Sequence, residues 1–182
     1  MTNPRRVIVH IGASADGYIA RTDGDLEWLT ARPAPAGFYG IDAFMRSVDT
    51  NVLGRKTYEA SLRMGATFDS KRRTIVFSRH PCPKAAPPTV EFTNESIGVF
   101  VNRLRNTQGK DIWLMGGGDI IASFLEAQAI DEFVISVVPI FIGDGIPLIA
   151  RRYLHVPLSL RSSETFDDGV VQLRYAVQGR DG

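Results

Sequence analysis

The chain has 182 residues, with 44% hydrophobic and 23% charged side chains, which is typical of one globular domain spanning residues 1–182. Its formal net charge of +1 gives no bulk electrostatic attraction for nucleic acid or for a membrane surface, so we expect neither as a partner. A single cysteine excludes an intrachain disulfide, and the longest apolar run is far too short to span a bilayer. The chain opens without a charged-then-apolar signal segment, and we expect a cytoplasmic protein.

Hydrophobic periodicity predicts strands alternating with helices through most of the chain. In chain order the predicted elements are a strand over residues 7–11, a loop over 16–36, a helix whose apolar residues run from Phe38 to Val48, a strand at 52–53, a helix carrying Tyr58 and Leu62, a strand over 74–77, a proline-rich connector over 81–88, a strand over 90–92, a helix carrying apolar residues 97–104, a strand over 112–115, a helix after three glycines, a strand over 133–141 that ends or bends at Pro139, and a hairpin of residues 158–166 with 170–177. This alternation predicts an α/β fold, with a mainly parallel sheet, helices on both faces and the antiparallel hairpin at one edge.

Three consecutive glycines stand between the strand over residues 112–115 and the helix that follows it. Gly116, Gly117 and Gly118 let the backbone turn sharply and let a ligand approach closely. The helix that begins at Asp119 and Ile120 offers free N–H groups and the positive end of its dipole, which suit a phosphate. A tight strand-to-helix turn without any ligand explains the same three residues.

A second strand ends in a glycine followed by cations at the start of a predicted helix. Gly54 precedes Arg55, Lys56 and Thr57, which offer charge-assisted donors and a hydroxyl to phosphate oxygens. The alternative is a helix start with solvated cations. Because cations at a helix N-terminus oppose the helix dipole, that alternative carries a small energetic cost, which a bound anion would relieve.

A third strand, over residues 74–77, ends in Ser78 and Arg79, again a hydroxyl and a guanidinium. Ligands of open α/β sheets bind outside the carboxyl ends of the strands. Three strand ends of this kind in one chain therefore predict a site for an anionic ligand at one edge of the sheet.

These segments resemble, in order, those of a known superfamily. The segment from Leu53 to Glu59 looks like the glycine-arginine-x-threonine segment of the dihydrofolate reductase fold, and the glycine triplet resembles that fold's pyrophosphate loop. Residues 14–20, Ser-Ala-Asp-Gly-Tyr-Ile-Ala, resemble the serine-x-aspartate-glycine segment of the riboflavin-biosynthesis reductase branch, the RibD C-terminal domain. Residues 141–148 are similar to the late loop of that branch. The matches span about residues 7 to 177 and imply a three-layer dihydrofolate reductase-like fold.

The resemblance implies a nicotinamide cofactor. Arg55 and Arg79 favour NADPH over NADH, because two guanidinium groups suit the 2′-phosphate that NADH lacks. The residues that would hold its pyrophosphate are Gly116, Gly117, Gly118, Asp119 and Ile120. The residues that would hold its adenosine end and 2′-phosphate are Gly54, Arg55, Lys56, Thr57, Ser78 and Arg79. The three histidines lack ligand spacing, and we expect no metal site.

For the substrate side, the resemblance makes Asp16 the catalytic candidate, with Ser14, Ile19 and Asp42 as substrate contacts. An Asp-Gly pair is also a common turn, so a purely structural Asp16 remains open. Dihydrofolate reductases carry their catalytic acid on the helix before the glycine-arginine segment. Aligning Phe44 with the aromatic residue of that helix puts Gly40 at the acid position, which leaves Asp42 as the nearest carboxylate.

The sequence thus predicts an NADPH-dependent reductase that transfers a hydride to a small planar heterocycle, resembling 5-amino-6-(5-phosphoribosylamino)uracil reductase. Two alternatives remain open, a true dihydrofolate reductase and an NADPH-binding module without turnover. The apolar strand over residues 133–141 and the edge hairpin predict an exposed apolar patch, and domains of this branch pair, so we expect a homodimer.

Overall fold

An eight-stranded sheet forms the centre of the structure, a computed structural model that describes residues 4–33, 35, 39–68, 72–83 and 86–179. The elements in chain order are β1 (Val7–Ser14), β2 (Tyr18–Ala20), α1 (Glu27–Thr30), α2 (Ile41–Ser47), β3 (Val48–Gly54), α3 (Arg55–Arg63), β4 (Arg73–Phe77), β5 (Val90–Thr93), α4 (Ile97–Arg105), β6 (Asp111–Gly116), α5 (Gly118–Glu126), β7 (Glu132–Val138), β8 (Ile146–Pro147), β9 (Leu158–Thr165) and β10 (Val171–Val177). No helix within these described ranges combines the length and apolar character needed to cross a membrane.

The strand order of the main sheet is β5-β4-β3-β6-β1-β7-β10-β9. The first six strands of that order run parallel to one another, while β10 pairs antiparallel with both β7 and β9. β2 and β8 form a separate two-stranded sheet. The predicted α/β fold, with a mainly parallel sheet and an antiparallel hairpin at one edge, is confirmed.

Helices cover both faces of the sheet, as the alternating side chains of its strands require. On β3, Val52 belongs to a buried cluster with Phe100 of α4 and Phe124 of α5, whereas the next residue, Leu53, packs with Tyr58 of α3. Phe44 of α2 packs on the same face as α3, through a cluster with Ile8 and Val134. α4 and α5 therefore cover one face, and α2 and α3 cover the other.

The segments that depart from the sequence predictions depend on partners far along the chain. The predicted loop over residues 16–36 contains β2 and α1, because β2 gains its hydrogen bonds from β8. Val48 begins β3 instead of extending α2, since it has an extended backbone and pairs with Asp111. Leu62 lies on α3 but is exposed. Phe38, residues 34, 36 and 37 of the region before α2, and residues 84 and 85 of the connector lie outside the described residues.

Candidate functional site

A cleft of about 1120 Å³ opens at the carboxyl ends of the parallel strands. Its walls come from the middle of β1, the ends of β3, β4 and β6, the length of α3 and the first half of α5. β2, β8, α1 and the loop between β2 and α1 complete them. This is the edge of the sheet where ligands bind in open α/β folds.

Most of the sequence-predicted site residues meet in this cleft, which brings together segments that are distant in the chain. The predicted residues that line it are Ile19, Gly54, Arg55, Lys56, Thr57, Ser78, Arg79, Gly117, Gly118, Asp119 and Ile120. The predicted residues that do not line it are Ser14, Asp16, Asp42 and Gly116.

The three glycines serve different geometric needs. Gly116 has a φ of 110°, in the region that side-chain-bearing residues rarely adopt, and the peptide bond that joins it to Gly117 is cis. Gly117 has an ordinary extended backbone with a φ of −81°. A Cβ on Gly118 would stand 2.3 Å from the carbonyl oxygen of Pro147, so only glycine fits without a shift of the backbone.

The N-terminus of α5 is open to a ligand. Gly117 is its N-cap residue, and no side chain among the described residues caps the helix. The first N–H groups of a helix lack intrahelical acceptors, so those of Gly118 and Asp119 remain available for phosphate oxygens. Asp119 adds a negative charge in this first turn, which Arg152 partly offsets from 3.8 Å.

Arg55 and Ser78 are brought together because β3 and β4 are parallel neighbours that end side by side. One Nη of Arg55 donates to the Ser78 hydroxyl at 3.4 Å and to the Pro81 carbonyl at 3.1 Å. Lys56 and Arg79 are exposed, and neither forms an ion pair with a residue that the structure describes. This end of the cleft therefore carries cationic groups that are free to meet an anion.

Glu59 is a cleft residue that the sequence reasoning missed. Its carboxylate accepts a hydrogen bond from Nε of Arg55 at 2.8 Å and lines the cleft beside it. The spacing of four residues on one helix was the signal that could have revealed this pair. The carboxylate reduces the positive charge that Arg55 presents to a ligand.

Asp16 is occupied by hydrogen bonds within the protein. One oxygen accepts the Ser14 hydroxyl at 2.6 Å, and the other accepts the N–H of Gly143 at 2.8 Å. The N–H of Ile142 points at both oxygens, at 3.3 and 3.2 Å. The Ser14 hydroxyl, with the two backbone donors, holds the pKa of Asp16 below its ordinary value, so the carboxylate is ionised at neutral pH.

The other substrate-side candidates are separated. Ile19 lines the cleft, but Ser14 is buried and uses its hydroxyl both to donate to Asp16 and to accept the N–H of Tyr18 at 3.0 Å. Asp42 is exposed on the first turn of α2 and lies outside the cleft lining. The structure therefore does not gather Ser14, Asp16 and Asp42 with Ile19 around one cavity.

The family model of the RibD C-terminal domain matches residues 5–172. The chain belongs to the RibD C-terminal domain family. The match covers the residues that resemble the riboflavin-biosynthesis reductase branch, and that predicted membership is confirmed.

Relatives extend the likeness over nearly the whole chain. The uncharacterized protein YwjB of Bacillus subtilis is 36% identical over 172 residues, which cover 94% of this chain and 97% of YwjB. The crystal structure of a putative riboflavin biosynthesis protein from Shewanella sp. PV-4 has 30% identity and a TM-score of 0.82, covering 95% of this chain and 99% of that one.

A more distant solved structure shares the fold. Dihydrofolate reductase from Enterococcus faecalis, complexed with NADP(H), has 17% identity and a TM-score of 0.67, covering 95% of this chain and 96% of that one. The dihydrofolate reductase-like architecture is thereby confirmed. Membership of the RibD C-terminal domain family supports a reductase-like role for the chain.

Proposed function

We propose that the protein is an NADPH-dependent reductase, which transfers a hydride to a small planar heterocycle similar to 5-amino-6-(5-phosphoribosylamino)uracil. The observation that carries the proposal is the convergence of three phosphate-competent strand ends on one cleft, those of β3, β4 and β6. Each ends in glycine, hydroxyl or cationic residues that suit a dinucleotide.

The residues fit a dinucleotide in two separate places. The uncapped N-terminus of α5 at Gly118 suits a pyrophosphate, and the absence of a side chain on Gly117 keeps the approach to it open. Arg55, Ser78 and Arg79 suit the adenosine end. When bound, the cofactor would supply the hydride, which the side chains of this chain cannot supply themselves.

The phosphorylated form of the cofactor suits the charges of the cleft. Lys56 and Arg79 are unpaired among the described residues, and a 2′-phosphate would give each a partner. Arg55 already shares its charge with Glu59, so we assign the larger part of the selectivity to Arg79 and Lys56. The enzyme of this proposal therefore prefers NADPH to NADH.

The apolar part of the cleft suits a flat ring. Ile11, Gly12, Ile19 and Leu29 line it, and Leu29 packs directly on Gly12, with its methyl groups 3.2 and 3.3 Å from the position that a Cβ on Gly12 would take. Side chains of this kind exclude water from the place where a hydride would pass between two rings.

A second candidate is a nucleotide-binding module without turnover. The observation that favours it is the engagement of Asp16, whose carboxylate already accepts three donors, together with the position of Asp42 outside the cleft. Reduction needs a proton as well as a hydride, and neither of these carboxylates is placed to deliver one.

Binding and turnover assays separate the two candidates. Calorimetry with NADPH measures binding, and NADPH oxidation against a panel of pterins and of ribosylamino- and ribitylamino-pyrimidines measures turnover. The reductase predicts micromolar binding with oxidation that depends on one pyrimidine class. Binding with no oxidation on any substrate favours the module, and a failure to bind any nicotinamide nucleotide would refute both.

A further inference from the structure

Asp16 connects two segments that are far apart in the chain. It lies in the turn between β1 and β2, and its carboxylate accepts the backbone N–H groups of Ile142 and Gly143. Residues 140–150, which contain β8, form the segment that it holds; we call this the β8 segment. An ionised carboxylate binds N–H donors more strongly than a neutral acceptor does, and the Ser14 hydroxyl fixes its orientation.

Further bonds fasten the β8 segment to the same turn and to β2. The N–H of Ala15 donates to the carbonyl of Ile140, and the N–H of Leu148 donates to that of Gly17, both at 2.9 Å. The pairing of β2 with β8 continues this contact. Asp16 is the one ionised group among these described contacts, and it binds the β8 segment near its start, at Ile142 and Gly143.

The other side of the β8 segment rests on the start of α5. The carbonyl oxygen of Pro147 lies 2.3 Å from the position that a Cβ on Gly118 would take, and the N–H of Ala150 donates to the carbonyl of Gly118 at 3.1 Å. Gly145, Ile146 and Pro147 also line the cleft next to Gly118. The β8 segment therefore connects Asp16, at Ile142 and Gly143, to the helix terminus that we assign to the pyrophosphate, at Pro147 and Ala150.

We propose that Asp16 is a positioning residue, which holds the β8 segment against Gly118 and so shapes the pyrophosphate end of the cleft. The proposal rests on the proposed function, since it takes the ligand to be a dinucleotide. In this role Asp16 acts on the ligand site through the β8 segment and α5, without touching the ligand.

The substitution Asp16→Asn tests this connection, because it keeps the shape of the side chain but removes its charge. An amide has one acceptor oxygen, and its NH₂ group would face an N–H of the β8 segment. Asp168→Asn is the matched control, since the Asp168 carboxylate also accepts a hydroxyl and a backbone N–H within a turn, but its described partners, Tyr39, Val170 and Arg32, all lie outside the β8 segment.

Two ligands localise the effect. NADPH needs the pyrophosphate end of the cleft, whereas 2′-AMP needs only the adenosine end at Arg55, Ser78 and Arg79. We expect Asp16→Asn to weaken NADPH about tenfold, the size of effect that the loss of charge-assisted hydrogen bonds produces, while 2′-AMP affinity stays at the wild-type value. The control variant should bind both ligands as the wild type does. Equal loss of both ligands, or no loss of either, overturns the proposal.

Hydrogen exchange tests the same connection without any ligand. In the free Asp16→Asn protein, the amide of Ala150, which donates to the Gly118 carbonyl, should exchange faster than in the wild type, although Asp16 does not contact it. Unchanged exchange at Ala150 overturns the proposal, whether or not a nucleotide binds. A failure to bind any nucleotide, with faster exchange at Ala150, would refute only the proposed function. Ser14→Ala, which removes one bond to the carboxylate, is the milder variant if Asp16→Asn does not fold, and it should change exchange in the same direction.

Discussion

The carbonyl oxygen of Pro147 lies 2.3 Å from the point where a Cβ atom on Gly118 would stand. Real Cβ atoms do not approach an oxygen so closely, and the obstacle is backbone on a paired strand, so it cannot rotate away. The third glycine of the triplet is therefore required by the packing of β8 on α5, whereas the first is required by its positive φ.

We expect Gly118→Ala to lower the free energy of unfolding by about 1 to 3 kcal/mol, the usual cost of forcing an extra methyl group into packed structure. Cofactor affinity should fall as well, because the β8 segment must move away from the helix terminus. Chemical denaturation and calorimetry measure the two effects. Gly98→Ala on α4 is the control, since nothing lies within 4 Å of its Cβ position, and it should leave stability unchanged or raise it.

Nicotinamide cofactors should bind with a clear preference. We expect NADPH to bind at least about tenfold more tightly than NADH, equivalent to roughly 1.4 kcal/mol. Arg79→Gln should reduce that ratio, and high salt should reduce it in the wild type, because the contacts are between exposed charges. Arg103→Gln is the control, since Arg103 of α4 pairs with Glu95 and lies outside the cleft lining. Equal affinities in the wild type would remove Arg79 and Arg55 from the role assigned to them.

The strand ends that line this cleft could be predicted from the sequence, because the residues that form each of them are adjacent in the chain. At Gly54-Arg55 and at Gly116-Gly117, a buried strand, a turn and a helix start follow one another directly, and parallel pairing then sets them side by side. The pairing of β2 with β8 could not be predicted in this way. The two strands have three and two residues, too few to show any periodicity.

The hydrogen-bond partners of Asp16 could not be predicted from the sequence either. The Asp-Gly turn is visible in the sequence, but the donors on Ile142 and Gly143 reach Asp16 only after the whole sheet has assembled. Which backbone atoms face a carboxylate across such a separation is decided by topology, not by local pattern. The catalytic assignment of Asp16 came from the resemblance alone, and it stays a prediction alongside the positioning role.

Stability should fall in mild acid because of His10. Its ring stacks on Phe44 with 4.6 Å between centroids, and burial, with the positive charge of Arg174, lowers its pKa to about 4. In the unfolded chain the pKa of His10 is near 6.5. Between about pH 6.5 and 4 the unfolded state therefore binds more protons than the folded state, and the free energy of unfolding decreases as the pH is lowered.

His10→Phe keeps an aromatic ring against Phe44 and should flatten this part of the stability profile. Urea denaturation between pH 4.5 and 7.5 measures the slope. His155→Phe, at an exposed position, is the control and should keep the wild-type slope. Arg174 also pairs with Glu132, which pairs with Arg6 in turn, so the comparison between the two variants decides the assignment. Identical slopes would show that His10 is not the cause.

We propose that the protein is a homodimer that uses the edge strand β9. Leu158 and Leu160 are exposed on this strand by 39% and 56%, and an uncovered edge strand with apolar side chains readily pairs or packs with another chain. Leu160→Glu should shift sedimentation towards the 20.1 kDa monomer, while Val99→Glu, at an exposed apolar position on α4, should not. A wild-type monomer at micromolar concentration would contradict the dimer.

The protein should be a poor dihydrofolate reductase, because α2 presents no acid to the cleft. Gly40, at the acid position by resemblance, is the N-cap of α2 with a φ of 78° and no side chain. The helix faces the sheet through Phe44, while Asp42, two residues or about 200° around the helix from Gly40, is exposed. We expect a kcat for dihydrofolate with NADPH at neutral pH far below the common enzyme value of about 10 s⁻¹. Asp42→Asn should leave this slow rate unchanged. If the wild type instead turns over dihydrofolate near that common value and Asp42→Asn abolishes the turnover, Asp42 is the catalytic acid.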